Sequence, residues 1–152
     1  MKNIFISELL NQKDLPVFPV SASLADLVRS VQDTKSTHQF YLVDSEGLLE
    51  GVITSSQILE YLTPHFFLTD RNMMESLFTS LESVNAADLL DRDFPRLLLN
   101  QNLPDILEAL LVSGKTAVPV LNGDHILVGE VVMDALLRLI PVKQRETLYA
   151  IS

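Results

Sequence analysis

The chain repeats itself, and the repeat limits the folds open to it more than any other feature. The stretch PVFPVSASLADLVRSVQDT from Pro16 lies over PRLLLNQNLPDILEALLVS from Pro95 at an offset of 79. Leu24 then meets Leu103, Asp26 meets Asp105, and Val31 meets Leu110. After a one-residue deletion the offset is 78. FYLVDSEGLLEGVITSSQILEYL from Phe40 now lies over VPVLNGDHILVGEVVMDALLRLI from Val118, so that Leu49 meets Leu127 and Gly51 meets Gly129. Self-similarity at a fixed period means one supersecondary unit built twice.

Each copy reads the same way. A short apolar run (Val17–Val20, Leu97–Leu99) leads into a helix with apolar residues at i, i+3, i+4 and i+7. These are Leu24, Leu27, Val28 and Val31 in the first copy, and Leu103, Ile106, Leu107 and Leu110 in the second. Ser23 and Asn102 stand at the N-cap, each with an Asp three residues on. Two β-rich runs follow, Phe40–Val43 with Leu48–Ile53 and Val118–Leu121 with Ile126–Val132. Ser45-Glu46-Gly47 and Asn122-Gly123-Asp124 supply the turns between them. A second helix begins near Ser56 or Asp134, with Pro64 or Pro141 expected to stop it. The expected class is therefore α/β of the α+β type, with two β-α-β-β-α units. Short helical lead-ins, Ile4–Leu10 and Val84–Leu90, precede the copies. Residues 1–63 form the first repeat with its lead-in, 64–83 an inter-repeat insert, and 84–152 the second repeat. In the insert Met74, Leu77, Phe78 and Leu81 keep helical spacing, which predicts an added helix. The apolar run Pro64–Leu68 fits a segment packed on the core, with a partner-binding patch as the alternative.

Composition narrows function by exclusion. The formal charge of −9, from 20 acidic and 11 basic residues, argues against binding nucleic acid or an anionic membrane. No cysteine is present, so disulfides and thiolate metal sites are excluded. No apolar run approaches the 18 residues a membrane helix needs, and Ser7 and Glu8 break the N-terminal apolar run. A cytoplasmic protein is expected. Ser113-Gly114-Lys115-Thr116 looks like the end of a phosphate-binding loop, but Ala109 stands where its first Gly belongs. The segment also follows a helix and precedes a strand, so Gly114 is expected to end that helix instead. His38, His65 and His125 have no metal-site spacing, and there is no G-x-S-x-G elbow. No enzyme activity and no required cofactor or metal are expected.

FYLVDSEGLLEGVITSSQIL and VPVLNGDHILVGEVVMDALL, each after a matching helix, resemble the CBS domain family, named after cystathionine β-synthase. The resemblance covers nearly the whole chain except Thr63–Ser83. It implies two repeats related by pseudo-two-fold symmetry, with two clefts between them. It also implies a regulatory module that binds an adenine nucleotide (AMP, ADP or ATP) or S-adenosylmethionine and acts on a regulated protein. The Thr that the family uses on ribose or phosphate is Thr54, matched by Val132 in the second copy; the ribose-binding Asp is Gln57, matched by Ala135. One ligand per chain is therefore expected, in the first cleft, at Gly51, Thr54, Ser55, Ser56 and Gln57. Glu130 and Asp134 would repel a phosphate from the second cleft. The alternative is a ligand-free interaction module. A homodimer is expected through the helices Gln57–Leu62 and Asp134–Ile140, because Tyr61 and Leu139 lie off the buried stripe.

Overall fold

The computed structural model describes residues 5–33, 39–66 and 71–142. The first copy holds β1 (Val17–Pro19), α2 (Leu24–Asp33), β2 (Gln39–Val43), β3 (Leu49–Thr54) and α3 (Ser55–Phe66), after the lead-in α1 (Ile6–Leu9). The insert contributes α4 (Arg71–Leu81), and a 3-10 turn at Ala86–Leu89 opens the second copy. That copy continues with β4 (Leu97–Leu98), α5 (Leu103–Ser113), β5 (Ala117–Leu121), β6 (Leu127–Val132) and α6 (Met133–Leu137). Each copy forms a three-stranded sheet, ordered β1-β2-β3 or β4-β5-β6. The first pair is parallel across the helix, and the second is an antiparallel hairpin.

The repeat holds down to the register. Phe40 pairs with Ile53 and Val118 with Val131, and both hairpins slip at equivalent places, Leu42/Val43 and Val120/Leu121. The turns agree as well. Asp44 Oδ1 accepts the amides of Glu46 and Leu48, and Asn122 Oδ1 accepts those of Asp124 and Ile126. Gly47 (φ 86) and His125 (φ 64) both occupy the left-handed region that closes this turn. At the α2 start, Ser23 Oγ accepts the Asp26 amide while Asp26 Oδ2 accepts the Ser23 amide, a reciprocal capping box. Asp105 Oδ2 likewise accepts the Asn102 amide. Gly114 (φ 67) ends α5 with its amide on the Leu110 carbonyl, as expected.

Because strand residues alternate between faces, each sheet has an outer and an inner side. Phe40, Leu42 and Ile53 point outward into a core with Leu24, Leu27, Ile58 and Leu62. Val118, Val120 and Val131 do the same with Leu97, Ile106 and Leu110. Tyr41 and Val52 point inward and meet Phe94, Leu49 and Leu127 in a third cluster between the sheets.

The lead-ins cross over. Ile6 and Leu9 are buried in the core of the second copy, whereas Ala86 is buried in that of the first. Backbone bridges come in matched pairs: Phe5 with Asn102 against Ser23 with Asn85, and Asn11 with Glu130 against Val52 with Asp91. Such reciprocity is what a two-fold relation between the copies demands. Gly51 and Gly129 make the crossing possible. A Cβ on Gly51 would lie 2.5 Å from Leu90 Cγ and 2.6 Å from the Asp91 carbonyl oxygen; on Gly129 it would lie 2.6 Å from Leu10 Cδ1 and 2.7 Å from the Asn11 carbonyl.

Two helix ends differ from expectation. Pro64 does not stop α3, which runs on to Phe66. Proline removes only one helical hydrogen bond in the final turn, and Glu60, whose carbonyl loses that partner, is exposed to water. The last helix of the second copy is shorter than Asp134–Ile140. After Leu137 the amides of Leu139 and Ile140 turn back three residues, to Leu136 and Leu137, ahead of Pro141. The insert helix is present as α4, with Leu81 buried in the first core and Leu77 and Phe78 packed on it. Of the run Pro64–Leu68, Phe67 and Leu68 lie outside the described residues.

Candidate functional site

Where the inner face of the first sheet meets the second copy there is a small recess, partly open to solvent. Gln39, Val52, Thr54 and Gln57 line it from the first copy; Asp91, Phe94, Pro95, Lys115 and Pro119 line it from the other side. The geometry follows from the topology. Gln39 and Thr54 are paired at the open end of the β2–β3 hairpin. The crossing segment after the 3-10 turn then brings Asp91 against Val52, with backbone hydrogen bonds of 3.0 Å in both directions. Phe94, stacked under the Arg96 guanidinium at 4.4 Å, closes one wall.

Of the expected ligand residues, Thr54 and Gln57 line this recess, whereas Gly51, Ser55 and Ser56 do not. Gly51 instead admits the Leu90–Asp91 segment. Ser55 begins α3, and Ser56 is exposed. Thr54 and Gln57 are also bonded to each other. The Gln57 amide donates to Thr54 Oγ1 at 3.2 Å, and Gln57 Oε1 accepts the Thr54 amide at 2.8 Å. This is a capping box for α3, written in the sequence as T-S-S-Q. Gln57 Nε2 donates to the Leu89 carbonyl at 3.2 Å, so its carboxamide is already engaged on both ends.

The charges in the recess come from residues that sequence reasoning passed over. Lys115 follows the αL residue Gly114 and makes no salt bridge among the described residues. It is part of the segment set aside with the phosphate-loop resemblance. Asp91 and Phe94 sit in a connection without a motif, and only the lead-in crossover places them. Facing Phe94 across the inner cluster is Tyr41, fully buried, whose hydroxyl donates to Glu130 of the second copy. Gln39 Nε2 donates to the same phenol oxygen at 3.1 Å and to the Ala117 carbonyl at 3.4 Å. Asn11 Nδ2 reaches the other Glu130 oxygen at 3.4 Å. Burial first, and the Glu130 carboxylate second, push the Tyr41 phenol far above its ordinary pKa.

The positions equivalent to the recess in the second copy have a different chemistry. Ala117, Val132 and Ala135 stand where Gln39, Thr54 and Gln57 stand in the first, and Glu130 stands at the Val52 position. Glu130 is partly buried, and its two carboxylate oxygens are engaged by Tyr41 and Asn11.

Residues 6–64 match the family model described as CBS domain. Among solved structures the chain is similar to CBSX2 from Arabidopsis thaliana, with a TM-score of 0.74 and 20% identity over 91% of this chain and 94% of that one. It is also similar to CBSX2 in complex with AMP (TM-score 0.70, 20% identity, 90% and 95% covered). A third similar structure is the cytosolic domain of the Mg2+ channel MgtE in complex with ATP. There the TM-score is 0.69 and the identity 15%, with 90% of this chain but 49% of that one covered. A comparison with curated protein sequences finds no match. Residues 6–64 thus match the CBS domain model, and the chain as a whole has the fold of the CBS-pair proteins.

Proposed function

We propose that the chain is a non-catalytic regulatory module that binds one adenine nucleotide in the recess of the first copy. The observation that carries this reading is the chemistry of the recess. It sets one cation, Lys115, and one carboxylate, Asp91, in a niche walled by Phe94, Pro95 and Pro119. Lys115 suits a phosphate, Asp91 suits ribose hydroxyls, and the apolar walls suit a base. Thr54 and Gln57 contribute through the α3 N-terminus that they cap, whose dipole favours an anion. Similar folds that hold AMP and ATP support the ligand class. No helix among the described residues is long and apolar enough to cross a membrane, which suits a cytoplasmic sensor acting on a separate protein.

The test is a thermal melt against AMP, ADP, ATP and S-adenosylmethionine. A ligand at a hundred times its Kd adds about 2.7 kcal/mol, or roughly 5–10 °C in Tm for a chain of this size. AMP should give the largest rise, and Lys115→Glu should abolish it. A rise unaffected by Lys115→Glu would contradict the site.

We further propose a homodimer. Tyr61 and Leu59 are exposed on α3, and Leu137, Leu139 and Ile140 are exposed around α6. Leu111 and Val112 on α5, 73% and 81% exposed, extend the second-copy surface. Apolar area of this extent favours an interface. Light scattering should give twice the chain mass, and Leu139→Glu should halve it.

A further inference from the structure

Gln39 is the buried polar residue among those described, 7% exposed, and it lines the recess. Both bonds of its carboxamide nitrogen are to the protein, one to Tyr41 and one to the Ala117 carbonyl. Its Oε1 accepts from no group among the described residues. Yet no fully buried side-chain oxygen there lacks a partner, so Oε1 opens onto the recess. The orientation of the amide is forced by its neighbours. The Ala117 carbonyl can only accept. The Tyr41 proton goes to the Glu130 carboxylate, so the phenol oxygen turns a lone pair toward Gln39. Turned over, the Gln39 carbonyl would face two acceptors.

An acceptor held in one orientation on the wall of the recess matches an N–H donor and penalises another acceptor there. We propose that Gln39 is a specificity-determining residue that offers its carbonyl oxygen to an amino group on the bound heterocycle, with Tyr41 and Glu130 as the positioning residues that hold the amide in that sense. The proposal rests on the nucleotide reading above. Its consequence is a preference for a 6-aminopurine over a 6-oxopurine.

The experiment titrates the full chain with AMP and with inosine monophosphate, which differ at that group. The wild-type protein should bind AMP at least about ten-fold more tightly. Gln39→Leu should bring the ratio toward one. Tyr41→Phe frees the amide and should lower the ratio without touching the phosphate end. Glu130→Val should go further. With its acceptor gone, the Tyr41 hydroxyl can donate to Gln39 Oε1, turn the amide over and move the ratio toward the oxopurine. Melting curves without ligand establish that each variant is folded, and any one of the three suffices for the ratio. A purely structural role would weaken both ligands equally and leave the ratio unchanged, which would overturn the assignment. Lys115→Glu separates the two claims. If it weakens both nucleotides while the wild-type ratio is one, the nucleotide site stands and the Gln39 assignment falls. If neither nucleotide binds, both fall.

Discussion

The two copies share a backbone and differ in what they do with it. Strand register, hairpin slip, turn conformation and the glycine facing the crossed lead-in are the same in both. The first copy ends in the 12-residue α3 with a Thr54–Gln57 cap, and the insert helix α4 packs on its core. The second ends in the five-residue α6, puts Val132 and Ala135 at the cap positions, and leaves Leu107, Leu111 and Val112 exposed on α5. Positions that make the fold have little freedom, because close approach or left-handed backbone dictates them. Positions that line a cleft are free to diverge, so the first copy puts Gln39, Thr54 and Gln57 on a recess while the second has Ala117, Val132 and Ala135 there, with Glu130 tied up internally.

The largest expected effect tests the shared half of that comparison. Gly51→Ala and Gly129→Ala each force a Cβ into a backbone carbonyl and a leucine. Both should cost about 2–3 kcal/mol in denaturant melts. Equal costs would sustain the two-fold equivalence of the lead-ins; a tolerated Gly129→Ala beside a damaging Gly51→Ala would break it.

The next effect probes the bond that joins the copies. Tyr41→Phe leaves Glu130 without its hydroxyl donor and should cost about 1–2 kcal/mol. Adding Glu130→Val, which gives the second copy the residue the first has at Val52, should recover most of the loss, because then neither partner is left unpaired. The phenol also predicts a pH dependence. Its pKa is raised in the folded state, so the folded chain keeps a proton that the unfolded chain releases near its ordinary value of 10.0. Stability from this group is complete below pH 10 and falls above it by about 1.4 kcal/mol per pH unit. Melts at pH 9 to 11 should show a steeper decline in the wild-type chain than in Tyr41→Phe, and parallel curves would contradict the burial.

The smallest effect lies at the turns. His125 adopts the conformation for which the first copy uses Gly47. His125→Gly should stabilise by about 0.5–1 kcal/mol, and Gly47→His should destabilise by at least as much.

Much of this was legible in the chain. The 79/78 offset carried the strands, both caps and both turns, and the spacing of Met74, Leu77, Phe78 and Leu81 carried the insert helix, because period and cap chemistry are local signals. Local signals do not report which core a segment joins. Ile6 and Leu9 read as an amphipathic lead-in whichever copy they pack against, so the crossover was invisible. With it went Asp91 and Phe94, which reach the recess only through that crossing. Thr54 and Gln57 were found by resemblance, but their mutual capping was present in T-S-S-Q and was overlooked. Lys115 was set aside with a loop motif that does fail. The charge itself is independent of the motif, and only its placement on the same recess as Asp91 gives it meaning.

The central claim is that one cleft of the two takes a ligand. Isothermal titration calorimetry with AMP tests it most directly, on the wild-type chain, Lys115→Glu and Val132→Ala. The account predicts one AMP per chain, lost in Lys115→Glu and unchanged in Val132→Ala. Two AMP per chain, or one that survives Lys115→Glu and is lost in Val132→Ala, would contradict it.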